Sequence, residues 1–118
     1  MMGSYQRPLY DDALFRAAKL SEEKLGDRAR ARELYHQLFT DHTTSILRDD
    51  AIWREAELWQ ADGDGAKACS RLEDMVDKLP DTRFVPCAIQ KCPSIARPKK
   101  SRAPAECHAY LTRPKTAE

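Results

Sequence analysis

The apolar positions of this chain recur at helical spacing. After Asp11, the residues Leu14, Ala17, Ala18 and Leu25 sit at spacings of three, four and seven, which makes one apolar helix face. Asp11 and Asp12 stand at its start, where negative charge suits the helix dipole and aspartate caps. Gly26 ends that helix because glycine tolerates the left-handed conformation. Asp27 caps a second helix carrying Ala31, Leu34, Tyr35 and Leu38 on one face, widened by Phe39. The same logic runs again. Ile52, Ala56 and Trp59 form a stripe with Trp53 beside it, Gly63 breaks the helix, and Asp64 caps the next. Ala68, Leu72, Met75, Val76 and Leu79 continue the core, and Pro80 closes it.

This second run is a repeat of the first. Asp11–Arg16 reads DDALFR, Asp49–Arg54 reads DDAIWR and Pro86–Lys91 reads PCAIQK, so the starts are 38 and 37 residues apart. The turns agree as well: Leu25-Gly26-Asp27 matches Asp62-Gly63-Asp64, and His42-Thr43-Thr44-Ser45 matches Leu79-Pro80-Asp81-Thr82. Small residues recur where helices must approach closely, at Ala18, Ala31, Ala56 and Ala68. One helix pair cannot bury both its faces, so neighbouring units are expected to stack into an all-α solenoid.

On these residues the chain resembles the tetratricopeptide repeat family. The second unit is the closer match, with Ala56, Trp59, the Gly63-Asp64 turn, Ala68, Leu72 and Pro80 at the motif positions. The first unit matches at Ala18, Gly26, Asp27, Ala31 and Tyr35. It departs in one extra residue before Gly26, in Ser21 where an aromatic is usual, and in Thr43 where proline is usual. The long period and the Asp-Asp-Ala-Leu-aromatic-Arg opening resemble the repeats of bacterial cell-envelope proteins, the Tol-Pal coordinators and the lipoproteins of outer-membrane assembly. The resemblance covers residues 9–92, the expected helical domain, after a flexible stretch at 1–8. A third unit begins at Phe84–Lys91 and is interrupted by Pro93, which predicts a short capping helix over Arg83–Cys92. Residues 93–118 are expected to be largely irregular, with a short helix at Ala105–Leu111.

The resemblance implies a non-enzymatic scaffold or adaptor that holds a peptide or a partner's helix in a concave groove, with no cofactor. Matching motif positions one by one places Phe15, Lys19 and Glu22 of the first unit, Trp53, Glu57 and Gln60 of the second, and Gln90 of the third along that groove. Phe15 and Trp53 have a competing assignment, packing between units, because aromatics at helical spacing also build cores. A short solenoid also leaves an end exposed, which predicts pairing with a second copy.

Composition refines this picture. The net charge of +1 hides a split: residues 1–82 hold 12 Lys/Arg and 17 Asp/Glu, a balance of −5, and residues 83–118 hold 8 and 2, a balance of +6. Five of the seven prolines lie in the second segment and all four glycines in the first. At 118 residues there is room for one ordinary domain. No stretch approaches eighteen consecutive apolar residues, which excludes a membrane-spanning helix in the sequence. The N-terminal residues carry no apolar signal core, which makes the cytosol the default expectation, and the periplasm the expectation if the chain is part of a longer one.

The remaining chemistry is sparse. Cys87, Cys92, Cys107 and His108 are four soft ligands of the kind zinc takes, but the spacing lacks paired knuckles. A disulfide from Cys87 or Cys92 to Cys107 requires an oxidising compartment. Free thiols in a weakly structured tail are the leading expectation. Arg97, Lys99, Lys100 and Arg102 form a basic run that suits nucleic acid by charge, yet lacks interleaved aromatics, so nucleic-acid binding is disfavoured. An intramolecular contact of this basic tail with the acidic body is a further option. No nucleophile motif, phosphate loop or His-Glu metal helix appears.

Overall fold

The computed structural model describes residues 8–108 and Leu111. Among these the chain forms five helices and no strand: α1 (Pro8–Glu23), α2 (Arg28–Asp41), α3 (Arg48–Ala61), α4 (Gly65–Lys78) and α5 (Val85–Lys91). The fold is an all-α, tetratricopeptide-like solenoid. Each hairpin turn is built the same way. Asp27 Oδ1 accepts from the Arg30 backbone N at 3.0 Å, and Asp64 Oδ1 accepts from the Lys67 backbone N at 3.0 Å. Gly26 and Gly63 take φ of +65° and +84°, the left-handed geometry that reverses the chain.

The links between units also repeat. Ser45 Oγ accepts from the Leu47 backbone N at 3.0 Å, and Thr82 Oγ1 accepts from the Phe84 backbone N at 3.3 Å. Thr82 additionally donates to Asp49 Oδ2 at 2.7 Å, tying the approach to α5 to the first turn of α3.

Two continuous cores fill the stack. Leu14 and Ala18 of α1 meet Ala31, Leu34, Tyr35 and Leu38 of α2 and Ala51 and Leu58 of α3. Phe39, Ile52, Trp53, Ala56, Ala68, Leu72, Met75 and Val76 form the second core, which runs on into Phe84, Val85, Cys87 and Ala88. α3 contributes to both, so it is the central helix of the fold.

Four expectations need correction. Helix α1 starts at Pro8, three residues before Asp11, which falls in its first turn. Leu25 is 68% exposed, because α1 ends at Glu23 and the backbone N–H groups of Lys24 and Leu25 both turn back to the Leu20 carbonyl. Residues 105–108 are not helical, while the rest of the short helix expected at Ala105–Leu111 lies mostly outside the described residues, as does nearly all of the 1–8 stretch.

The largest correction concerns the cysteines. None is free: Cys69 pairs with Cys92 and Cys87 with Cys107. Cys69 lies on α4, so the first disulfide ties the end of α5 back to the second unit. The second ties the irregular segment to α5. Residues 92–108 contain no helix, yet they pack: Ile95 and Ala103 are 5% and 6% exposed and join the second core. Arg97 donates to the Ala103 and Pro104 carbonyls, Ser101 Oγ to the Pro80 carbonyl, and the Arg102 backbone N to Asp81 Oδ1 at 2.7 Å. This segment follows α5 at the place in the sequence where a third unit would have its second helix, and it packs on the second core and the turn after α4. The proline-rich sequence cannot form that helix, and covalent links with polar contacts hold it instead.

Candidate interaction surfaces

The face formed by α1, α3 and α5 carries a repeated arrangement. The last residue of the repeated segment, DDALFR, DDAIWR and then PCAIQK, is Arg16, Arg54 and Lys91 in the three units. Arg54 lies over the Phe15 ring at 5.5 Å and Lys91 over the Trp53 ring at 5.8 Å, so each cation caps the aromatic of the preceding unit. Lys91 Nζ also donates to Gln60 Oε1 at 3.2 Å, and Arg83 pairs with Asp50 at 3.8 Å. Lys19 approaches Phe15 from its own helix at 6.0 Å.

Beneath this face, Phe15 meets Tyr35 edge-on, with centroids 5.7 Å apart, and the Tyr35 hydroxyl donates to Glu22 Oε1 at 2.9 Å. Burial, then the nearby Glu22 charge, pushes the Tyr35 hydroxyl well above its ordinary range, so it acts as a neutral donor. Burial, then repulsion from neighbouring Asp49, also raises Asp50, against the opposing charges of Arg83, Arg54 and Lys19.

The expected groove residues divide. Lys19, Glu22 and Glu57 are half-buried on this face, Phe15 is half-buried in its aromatic stack, and Gln60 and Gln90 are exposed. Trp53 does not line a groove. It is 3% exposed and stacked on Phe84 at 4.8 Å with an interplanar angle of 20°, which makes it core between the second and third units. The cations on this face that periodicity did not single out are Arg54, Arg83 and Lys91. Their signal was present at Arg54 and Lys91 as a basic residue closing the repeated segment in successive units.

A second feature lies on the side of the second helices. A cleft of about 560 Å³ is lined by Arg32, His36, Glu55, Trp59 and Arg71, among others. Glu55 is 2% exposed and fully engaged: Oε1 contacts His36 Nδ1 at 2.8 Å, and Oε2 accepts from Arg71 Nε at 2.8 Å and Trp59 Nε1 at 3.0 Å. Glu55 therefore pins α3 to α2 and α4 at once. Arg32 covers the Trp59 ring at 4.0 Å and Lys67 approaches it at 5.3 Å. Hydrogen bonds from Arg28 and Arg32 hold the Asp62 carboxyl below the ordinary range. Periodicity gave no signal for Glu55, since a carboxylate at a core position breaks the apolar pattern.

The weak metal candidates are removed by the same disulfides. Cys87, Cys92 and Cys107 have no thiolate to offer, and among the described residues no group of three His, Cys, Asp or Glu side chains is arranged to hold a metal ion. His108 is exposed beside Cys107. No helix of the described residues is long and apolar enough to cross a membrane.

A tetratricopeptide repeat family model matches residues 12–45. That stretch runs from the first turns of α1 through α2 to the Ser45 turn, one helix–turn–helix unit of the stack. The match falls on the first unit, although the second keeps more of the motif residues. Searches of curated proteins and of solved structures found no match.

Proposed function

We propose that this protein is a non-enzymatic interaction module that takes a peptide or a partner's helix on the face formed by α1, α3 and α5. Tetratricopeptide repeats in general mediate protein–protein contacts, and the repeat geometry here supports that use. The observation that carries the reading is the recurrence of a cation over an aromatic at Arg54–Phe15 and Lys91–Trp53. It sets a row of polar groups at one-unit intervals: Lys19, Glu22, Arg54, Glu57, Gln60, Gln90 and Lys91. Such a row fixes the register of an extended or helical ligand. The Glu55 cluster serves the fold rather than chemistry, because both carboxylate oxygens are held by neighbouring side chains.

The paired cysteines support a reading of the compartment. With all four paired, the protein fits an oxidising compartment better than the cytosol. The test of the interaction face is a capture experiment with wild type and a Lys19→Glu plus Glu57→Lys variant. Both substitutions reverse charge at half-exposed sites and spare the core. Loss of the captured partner in the variant, with an unchanged thermal melt, supports the face; an identical set of partners contradicts it.

A further inference from the structure

The two units differ at one face, and the repeat makes the difference readable. On α3, the stations Arg48, Ala51, Glu55 and Leu58 all meet α2. Arg48 donates to the Phe39 carbonyl at 2.9 Å, Ala51 and Leu58 join the first core, and Glu55 contacts His36. Subtracting the 38-residue period gives Tyr10, Ala13, Ala17 and Leu20 on α1. Among the described residues no helix faces these stations as α2 faces those of α3; Tyr10 sets its ring edge-on against His42 at 5.2 Å, and Ala17 packs on the rim of the first core. Leu20 is 52% exposed against 5% for Leu58, Tyr10 is 54% exposed, Ala13 is exposed and Ala17 half-buried. The sequence has also changed where it matters: Glu55, which needs a polar partner on the facing helix, is replaced by Ala17, which needs none.

We infer that this α1 face is the contact surface for a second copy of the chain, in an antiparallel two-fold pair. Three observations favour that occupant. The stripe large–small–small–large has spacings of three, four and three, so it reads the same from either end. Antiparallel pairing therefore sets Tyr10 against the second copy's Leu20 and Ala13 against its Ala17, with both large residues flanking a close approach at the alanines. A two-fold interface demands this self-complementarity. Second, the interface continues one that the fold already uses, since the same stations on α3 are closed by a helix. Third, a head-to-tail stack is blocked. The opposite end is covered by α5 and the stapled segment, and no exposed large hydrophobic among the described residues lies beyond Ile46.

Size sets the strength. A 16-residue helix is about 24 Å long, and one of its faces buries on the order of 400 Å² per copy, half the ~800 Å² of a standard interface. The pair is accordingly at the small, transient end of interfaces. This inference does not depend on the α1/α3/α5 groove, and the Lys19→Glu plus Glu57→Lys variant should leave it intact.

Sedimentation equilibrium from 10 µM to about 1 mM tests it. Wild type should rise toward the mass of two chains, while Leu20→Glu and Ala13→Glu, both at exposed sites, stay monomeric with unchanged circular dichroism. An amide-resolved NMR dilution series on wild type gives an independent reading, with shift changes confined to residues 10–24. Wild type that stays monomeric at 1 mM, variants that associate as wild type does, or dilution shifts centred elsewhere would each overturn the inference.

Discussion

Arg54 of α3 stands 5.5 Å over the ring of Phe15 on α1, and the two residues belong to successive units of the solenoid. The same pairing recurs one unit later with Lys91 and Trp53, at 5.8 Å. What the sequence shows as a spacing of 38 and then 37 residues is, in space, a ladder of contacts between units. The ladder should be measurable. A double-mutant cycle on Phe15→Leu and Arg54→Met is expected to give a coupling of about 0.5–1 kcal/mol in urea unfolding. Additive single effects would mean that the cation contributes only packing.

The Glu55 cluster should be the most sensitive polar site. Glu55→Ala leaves Arg71, His36 and the Trp59 indole without their common acceptor. The expected loss is about 2–4 kcal/mol, at the lower end because Arg71 and His36 reach solvent. Glu55→Gln should lose less, since an amide oxygen in the place of Oε2 still accepts from both Arg71 and Trp59. Chemical denaturation of the two variants checks the order.

The glycines separate two roles. Gly26→Ala and Gly63→Ala meet no steric obstacle, but each forces alanine into a left-handed conformation, at a cost of about 1 kcal/mol. Gly65→Ala stands inside the first turn of α4 in open space and should be neutral or stabilising by a few tenths of a kcal/mol. Thermal melts of the three variants read this contrast directly.

These three predictions also mark how far the sequence carries. The hairpin turns were legible because Gly and Asp at Gly26-Asp27 and Gly63-Asp64 have few other uses at that spacing. The two apolar helix faces were legible for the same reason, and so was the short α5 before Pro93. Trp53 was ambiguous because an aromatic at that station serves a groove or a core equally well. Phe84, stacked on it, decided for the core. Of the disulfides, Cys87–Cys107 was one of the options the sequence offered, against free thiols as the leading expectation, and Cys69–Cys92 was not legible. Cys69 sits inside a helix pattern, and only the return of residues 92–107 over α4 and α5 brings the four sulfurs into pairs. Glu55 was hidden because its three partners come from three different helices.

Two aspartates should titrate in opposite directions. Burial and Asp49 raise Asp50, so its folded-state proton is held more tightly than in the unfolded chain, and its ionisation reduces stability as pH rises through the folded value. Arg28 and Arg32 lower Asp62, so the stability it adds is present above the unfolded value and is lost as pH falls through the folded one. Carboxyl NMR titration should place Asp50 above, and Asp62 below, the ordinary aspartate value of about 3.9. Asp50→Asn should then stabilise slightly at pH 7 and have less effect under acid.

The stapled segment should depend on its disulfides. Closing chain segments with separations of 23 and 20 residues contributes about 3 kcal/mol each in the chain-entropy model. Reduction is expected to raise amide exchange across residues 92–108 while α1 and α2 keep their protection. Alkylation of the unfolded, unreduced protein should label no cysteine.

The central claim is that partners are held on the α1/α3/α5 face, and site-specific photo-crosslinking addresses it most directly. A photoreactive residue is placed at Gln60 or Gln90, both exposed on that face, or at Gln37, exposed on α2 beside the Glu55 cleft. All three sites are solvent-facing, so the fold is unaffected by the choice. Crosslinks to the captured partner from positions 60 and 90 and none from 37 are the predicted result. Crosslinks from 37 alone would place the partner on the second-helix side and contradict the account.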